Sequence, residues 1–189
     1  MTAATANDRG PVLLALARAA IASSLGGPPV QRPTDAPWLD EPGACFVTLK
    51  QDGQLRGCIG NILPLPTLYD AIVRNAESAA LRDPRFHPLQ RAELARTQIE
   101  ISLLSAMEPI PADSEDALLA ALRPGTDGLL LTAPGRSAVF IPSVWDQLPD
   151  RHQFLRHLRD KGRFPRDRWL PGTRAERFTA EHFEETTPL

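Results

Sequence analysis

A two-residue turn between two strand-like runs is the feature that most constrains the fold of this chain. Asp52-Gly53 separates residues 44–50 from residues 54–59, and both runs are bounded and composed as strands are. An Asp-Gly pair supplies the positive φ angles that a type I′ turn requires, so we predict a β-hairpin. In this hairpin Gln51 faces Gln54, and the two strands are antiparallel neighbours in a sheet.

Extending this register without interruption predicts which hairpin side chains share a face. The face that carries both cysteines comprises Cys45, Val47, Arg56 and Cys58. The opposite face comprises Phe46, Leu55 and Ile59. Val47 then lies opposite Cys58 and Cys45 opposite Gly60, which makes the two cysteines diagonal neighbours with α-carbons about 7–8 Å apart. That separation is too long for a disulfide, so we expect both thiols to stay reduced.

Helices and further strands follow the hairpin. The first predicted helix ends at Gly26-Gly27. The other three run from Leu68 to near Asp83-Pro84, from about Ser114 to Leu122, and from about Asp150 to Lys161. The other predicted strands are residues 99–103, a second hairpin of residues 128–132 and 136–141, and one strand around residues 176–183. This order favours an α+β fold in which helices flank an antiparallel or mixed sheet.

Length, charge and cysteine content limit the functional classes. The chain has 189 residues, a net charge of −2 and two cysteines, which fits one folded unit in a reducing cytoplasm. The low net charge and the single tyrosine offer little for nucleic-acid binding. No apolar run is long enough to span a membrane, and Arg18 interrupts the apolar stretch of residues 12–25. We therefore expect a cytoplasmic protein without nucleic-acid or membrane partners.

Four motifs in a fixed order identify a family resemblance. They are Phe46-Val47-Thr48-Leu49, Leu55-Arg56-Gly57-Cys58-Ile59-Gly60, Asp83-Pro84-Arg85-Phe86 and Ile101-Ser102-Leu103-Leu104-Ser105. Their order and spacing resemble the AMMECR family, which in bacteria and archaea is called AmmeMemoRadiSam system protein A. The likeness continues through Gly125-Thr126-Asp127-Gly128-Leu129, Ile141-Pro142-Ser143-Val144-Trp145 and Phe154-Leu155, and covers nearly all of residues 12–184.

The resemblance implies an architecture and a cellular role. It implies a single AMMECR-type domain over residues 1–189 with an ordered core of about 12–184. The structure implied has two layers, with a larger lobe and a smaller lobe in the C-terminal half. It also implies an accessory component of a modification system whose other members are a Memo-like protein and a radical SAM protein. The family has no settled reaction, and this chain departs from its pattern at His87 and at Asp160, before Lys161.

Cys58 is the candidate catalytic residue. Gly57 and Gly60 stand on either side of it, and glycines let a substrate or another backbone approach closely. A guanidinium from Arg56 would favour the thiolate, since positive neighbours lower a cysteine pKa. The alternative is an inert packed thiol, because free cysteine is among the most buried residue types.

Asp83 and Arg85 are candidates for binding a substrate or a partner. They surround a proline corner and could fix that turn through an ion pair. If the corner folds against the hairpin, Arg56, Cys58 and Arg85 would instead form a cationic pocket for a small anion such as a carboxylate or phosphate. Glu100 and Lys161 could join this pocket only through tertiary contacts.

Other catalytic classes find little support in the sequence. His87 is the histidine nearest to a family motif, and a solvated corner histidine is its simpler interpretation. No C-x-x-C pair, phosphate loop, dinucleotide fingerprint or serine elbow occurs, so we expect no metal and no conventional cofactor. Two hypotheses remain: an accessory recognition protein, and a cysteine-dependent enzyme that acts on a small anionic substrate through Cys58.

Overall fold

The structure is a computed structural model that describes residues 6–186. Its α-helices are α1 (Ala6–Ser24), α2 (Leu68–Leu81), α3 (Glu115–Ala121) and α4 (Arg151–Lys161). Its strands are β1 (Cys45–Gln51), β2 (Gln54–Gly60), β3 (Gln98–Leu104), β4 (Glu108–Ile110), β5 (Gly128–Ala133), β6 (Arg136–Phe140), β7 (Arg174–Phe178) and β8 (Ala180–Glu184). Short 3-10 helices occur at Pro37–Asp40, Arg91–Arg96 and Pro142–Asp146. The α+β class is confirmed.

The chain divides into two compact units. The first contains the described residues up to Leu104 together with those from Glu181 onward, and the second is Ser105–Ala180. Each unit has its own sheet and its own hydrophobic core. Among the described residues, no helix has the length and apolar content needed to cross a membrane.

The first unit packs α1 and α2 against a sheet with strand order β2-β1-β3-β8. β1 pairs antiparallel with both β2 and β3. Thr67 caps α2 by accepting a hydrogen bond from the Asp70 backbone N–H at 3.0 Å, and the apolar residues of α2 recur at helical spacing toward the core. Because β2 is an edge strand in this order, its outer backbone groups need partners from outside the sheet.

The second unit has a sheet with strand order β4-β7-β5-β6. The Trp145 ring stacks on Phe154 with centroids 3.9 Å apart, and its indole N–H donates to the Asp127 carbonyl at 2.7 Å. The buried Asp127 carboxylate in turn accepts from the backbone and side chain of Arg123. The buried tryptophan therefore satisfies its polar group while its ring fills the core.

The hairpin is confirmed, but the predicted register is wrong beyond the turn. Asp52 and Gly53 have φ angles of 50° and 75°, and Gln51 pairs with Gln54. Lys50 then pairs with Leu55 and Leu49 with Gly57, so Arg56 is an extra residue, a β-bulge.

This one-residue shift exchanges the faces of the following positions. Cys58 pairs with Thr48 rather than Val47, and Gly60 pairs with Phe46 rather than Cys45. Cys45 and Val47 remain on the buried face, where Ile59 joins them. Cys58 lies on the opposite face, so the predicted grouping of Cys45, Val47, Arg56 and Cys58 is wrong, as is the placement of Ile59 with Phe46 and Leu55.

The end of the chain contains two strands rather than the one predicted. β7 belongs to the sheet of the second unit and β8 to the sheet of the first. Thr179 separates the two strands. Its backbone N–H donates to the Ser105 hydroxyl and its carbonyl accepts from the Ser105 N–H, both at 2.9 Å. β4 was also not predicted; it contains Pro109 and lies at a sheet edge, where proline is tolerated.

Candidate functional site

The glycines of β2 permit close packing on both faces of the strand. A Cβ at Gly57 would lie 2.2 Å from the carbonyl oxygen of Ala79 in α2, and one at Gly60 would lie 2.3 Å from the Phe46 ring. Neither glycine has a positive φ. Their role is therefore close approach, and at Gly57 the approaching group is the helix backbone.

The Asp83 corner completes the free edge of β2. The Cys58 backbone N–H donates to the Asp83 carboxylate at 2.8 Å, and the Cys58 carbonyl accepts from the Arg85 guanidinium at 3.3 Å. These two side chains take the place that a neighbouring strand would occupy. The structure thus brings together three predicted site residues, Cys58, Asp83 and Arg85, and it joins them through the backbone of Cys58.

Asp83 is the centre of this arrangement. Its carboxylate is buried and accepts from Arg85 Nε at 2.9 Å, from Arg85 Nη2 at 2.6 Å and from the Arg85 backbone N–H at 3.1 Å. The Arg85 side chain and the two backbone donors hold the pKa of Asp83 well below its usual range, against the opposing effect of burial. The internal ion pair predicted for this corner therefore exists, and it also anchors the hairpin.

Arg56 is held separately, by Glu93. Arg56 Nε and Nη2 donate to the two carboxylate oxygens at 3.2 and 3.3 Å. The Gln90 backbone N–H, and then Arg56, lower the pKa of Glu93. Glu93 is not among the site residues predicted from the sequence, although its position three residues after Gln90 is typical of a carboxylate that folds back on the start of a helix.

A cavity of about 400 Å³ lies beside this edge of the first unit. Its lining residues are Arg56, Pro84, Arg85, Phe86 and His87. The Phe86 ring centroid lies 6.0 Å from Arg56 Cζ and 5.5 Å from Arg85 Cζ. The cavity therefore brings together two residues of the predicted pocket, Arg56 and Arg85, whereas Cys58 is not among its lining residues.

The two thiols have different surroundings. Both cysteines are free; Cys58 is a half-buried residue, and its sulfur accepts from the Thr48 hydroxyl at 3.4 Å. It lines neither the cavity above nor a larger one of about 1180 Å³ in the same unit. Cys45 is fully buried, and burial raises the pKa of its thiol to about 12 despite the Asn75 hydrogen bond. Cys45 is therefore an inert core thiol.

We expect an alkylating reagent to modify Cys58 in the native protein well before Cys45, since Cys58 is half-buried whereas Cys45 is fully buried. Mass spectrometry of tryptic peptides after short exposure to iodoacetamide measures the order. Thiol counting on unfolded protein prepared without reductant should give two. A lower count that reductant restores would contradict the separation of the cysteines on opposite faces.

The other residues considered in the sequence have structural partners. Glu100 lies on the open face of β3, where Lys50 Nζ is 2.6 Å away and His182 Nδ1 is 3.9 Å away. The Glu100 interaction raises the pKa of Lys50. Lys161 belongs to the second unit and donates to the Val139 carbonyl at 2.9 Å. Within residues 6–186, no cluster of His, Cys, Asp or Glu has the arrangement of a metal site.

Comparisons with known proteins agree on one family. The AMMECR1 family model matches residues 14–183. A protein of Methanothermobacter thermautotrophicus is 36% identical over 182 residues, which cover 94% of this chain and 95% of that protein. A protein of Thermococcus gammatolerans is 37% identical over 195 residues, with 96% and 93% covered. The crystal structure of the uncharacterized protein PH0010 from Pyrococcus horikoshii matches with a TM-score of 0.81 and 34% identity, over 95% of this chain and 92% of that one.

Proposed function

This chain belongs to the AMMECR1 family, and we propose that it is a recognition component that binds a protein partner through the surface beside β2. We call this surface the corner surface; it comprises the residues that line the 400 Å³ cavity, Arg56, Pro84, Arg85, Phe86 and His87. Arginine and aromatic side chains are the residues that most often dominate protein interfaces. Two of the corner-surface residues are arginines and one is a phenylalanine.

The observation that carries the proposal is how Arg85 is held. Asp83 fixes one edge of its guanidinium through two hydrogen bonds, while 53% of the side-chain surface stays exposed. An exposed arginine ordinarily loses side-chain freedom when it binds a partner. Arg85 has already lost that freedom in the folded chain, so its contribution to binding is larger.

The family resemblance supports the class of partner. In this proposal the chain is accessory component A of an AmmeMemoRadiSam-type modification system, and it binds the Memo-like protein or the radical SAM protein of that system. The Cys58 thiol has Thr48 as its hydrogen-bond partner among the described residues. A protein that only binds a partner through the corner surface requires no catalytic group besides this thiol.

Direct binding to purified partners tests the proposal. We expect the chain to bind the Memo-like or the radical SAM protein of the same organism, and Arg85→Gln to weaken that binding about tenfold or more. Arg96→Gln is the matched control, because Arg96 lies 3.9 Å from the same Glu93 carboxylate that holds Arg56 but does not line the 400 Å³ cavity. Calorimetry with the wild-type chain, Arg85→Gln and Arg96→Gln measures their affinities for the partner. Absence of binding to both partners by the wild-type chain would refute the proposal.

A second candidate function is a cysteine-dependent enzyme with a small anionic substrate. The observation in its favour is that Arg85 Nη2 donates to the Cys58 carbonyl at 3.3 Å. A guanidinium therefore lies beside the residue that carries the thiol, and a nearby positive charge is what an activated cysteine requires.

The alkylation rate of Cys58 separates the two candidates. An activated thiol should react with iodoacetamide faster than free glutathione at pH 7, and a packing thiol should react more slowly. Under the recognition proposal, Cys58→Ser leaves partner affinity within about twofold, because the hydrogen bonds to the corner use the backbone of residue 58. A fast thiol whose replacement also abolishes turnover would favour the enzyme.

A further inference from the structure

The guanidinium groups of Arg56 and Arg85 are held in the same way. Each donates through Nε and Nη2 to a carboxylate, that of Glu93 for Arg56 and that of Asp83 for Arg85. Among the described residues, neither Nη1 group has an acceptor. Each arginine thus has one edge fixed within the protein and one pair of N–H donors available to a ligand.

The acidic partners of the two arginines are not among the residues that line the cavity. The side chains of Asp83 and Glu93 are only 2% and 18% exposed, and neither lines the 400 Å³ cavity. The residues that line the cavity are two arginines, Phe86, His87 and Pro84. The lining therefore includes two cationic side chains and an aromatic one, and neither carboxylate belongs to it.

We infer that this cavity binds a carboxylate group of a partner chain, either an aspartate or glutamate side chain or a C-terminal carboxylate. The inference rests on the proposed recognition function and names the chemical group that is recognised. Guanidinium groups bind carboxylates through charge-assisted hydrogen bonds, and here each arginine can contribute its Nη1 donors. A monoanion fits better than a phosphate, because the two carboxylates of Asp83 and Glu93 already balance the two positive charges of the arginines, and recognition rests on the remaining N–H donors.

The cavity is large enough for a side chain or chain end. Its volume of about 400 Å³ lies toward the lower end of the range of about 300–1,000 Å³ that is typical of ligand pockets. The Phe86 ring can contact the methylene groups that carry an acidic group.

Titration of the intact chain with small carboxylates, followed by ¹⁵N NMR, tests the inference without any partner protein. N-acetylglycine represents a C-terminal carboxylate, and the N-methylamide of N-acetylaspartate represents an acidic side chain. We expect at least one of them to bind in the millimolar range and to shift the signals of Arg85, Phe86, His87 and the Arg56 Nε–H. The stronger of the two identifies the source of the carboxylate.

Matched probes and variants define the outcomes. N-acetylglycinamide, which is neutral, should cause no saturable shift, and inorganic phosphate should bind more weakly than the carboxylates. Arg56→Gln and Arg85→Gln should each raise the dissociation constant about tenfold or more, whereas Arg96→Gln should leave it unchanged. If Arg85→Gln fails to fold, Arg56→Gln and the neutral probe still decide the result.

Three results would overturn the inference: no carboxylate binding, equal binding of the amide, or preferential binding of phosphate. The test separates this inference from the proposed function. Carboxylate binding without partner binding would support the carboxylate site and contradict the proposed partner. Partner binding that depends on Arg85, without binding of small carboxylates, would support the recognition function and contradict the carboxylate as the group that is recognised.

Discussion

Replacing Asp83 with alanine is expected to lower the free energy of unfolding by about 2–4 kcal/mol. The substitution removes a buried carboxylate that accepts from the Cys58 N–H and from the backbone and side chain of Arg85. The Cys58 N–H then lacks its acceptor at the free edge of β2, and an unpaired buried donor is costly. Urea unfolding of the wild-type and variant proteins measures the difference.

Asp160→Ala is the control for this measurement. Asp160 makes a comparable two-bond pair with Arg166, with both N–O distances 2.8 Å, but at the protein surface, where ion pairs contribute little. We expect a clearly smaller change than at Asp83. Equal effects of the two substitutions would contradict the role assigned to Asp83.

The contribution of Asp83 should depend on pH in one direction. Arg85 and the backbone donors depress the pKa of Asp83 in the folded state, while in the unfolded chain its pKa is about 3.9. The stabilisation is therefore complete above that value and is lost as the pH falls toward the depressed pKa of the folded state. The difference in stability between wild type and Asp83→Asn should accordingly narrow below about pH 4, as urea unfolding at several pH values would show.

Gly57→Ala is expected to lower the free energy of unfolding by about 1–3 kcal/mol. The new methyl group would lie 2.2 Å from the Ala79 carbonyl oxygen, which is well inside van der Waals contact. The obstacle is helix backbone, so a change of rotamer cannot relieve it, and α2 must move away from β2. Thermal and urea unfolding measure the loss.

Gly53→Asn is the matched control in the same hairpin. A Cβ at Gly53 would meet no atom within 4 Å, and asparagine tolerates the positive φ of this turn position. We expect only a small loss of stability there. An unchanged unfolding free energy for Gly57→Ala would show that the helix can shift without cost, and the close approach would then not explain the glycine.

Local sequence signals were sufficient for the secondary structure around the site. Asp52-Gly53 predicted the turn because the two residues themselves must adopt positive φ angles. The helices predicted from Leu68 to near Asp83-Pro84 and from about Asp150 to Lys161 likewise correspond to α2 and α4. Such signals act within a few residues, so a single sequence carries them.

The register of β2 depended on contacts that are distant in the sequence. Arg56 forms the bulge and pairs with Glu93, 37 residues away. No signal within the hairpin indicates this pair, so an uninterrupted register placed Cys58 on the wrong face. A single extra residue was enough, since strand side chains alternate from one residue to the next.

The sequence by itself determined the α+β class, the hairpin and the family, and it selected Arg56, Gly57, Cys58, Gly60, Asp83 and Arg85 as candidate site residues. Only the tertiary structure decided how these residues meet: Asp83 and Arg85 bind the backbone of Cys58 rather than its thiol, and Arg56 and Arg85 line one cavity without it. The physical reason is that β2 lies at the edge of its sheet. Which strand is left at an edge, and which side chains satisfy its N–H and C=O groups, depends on how the whole chain pairs and packs.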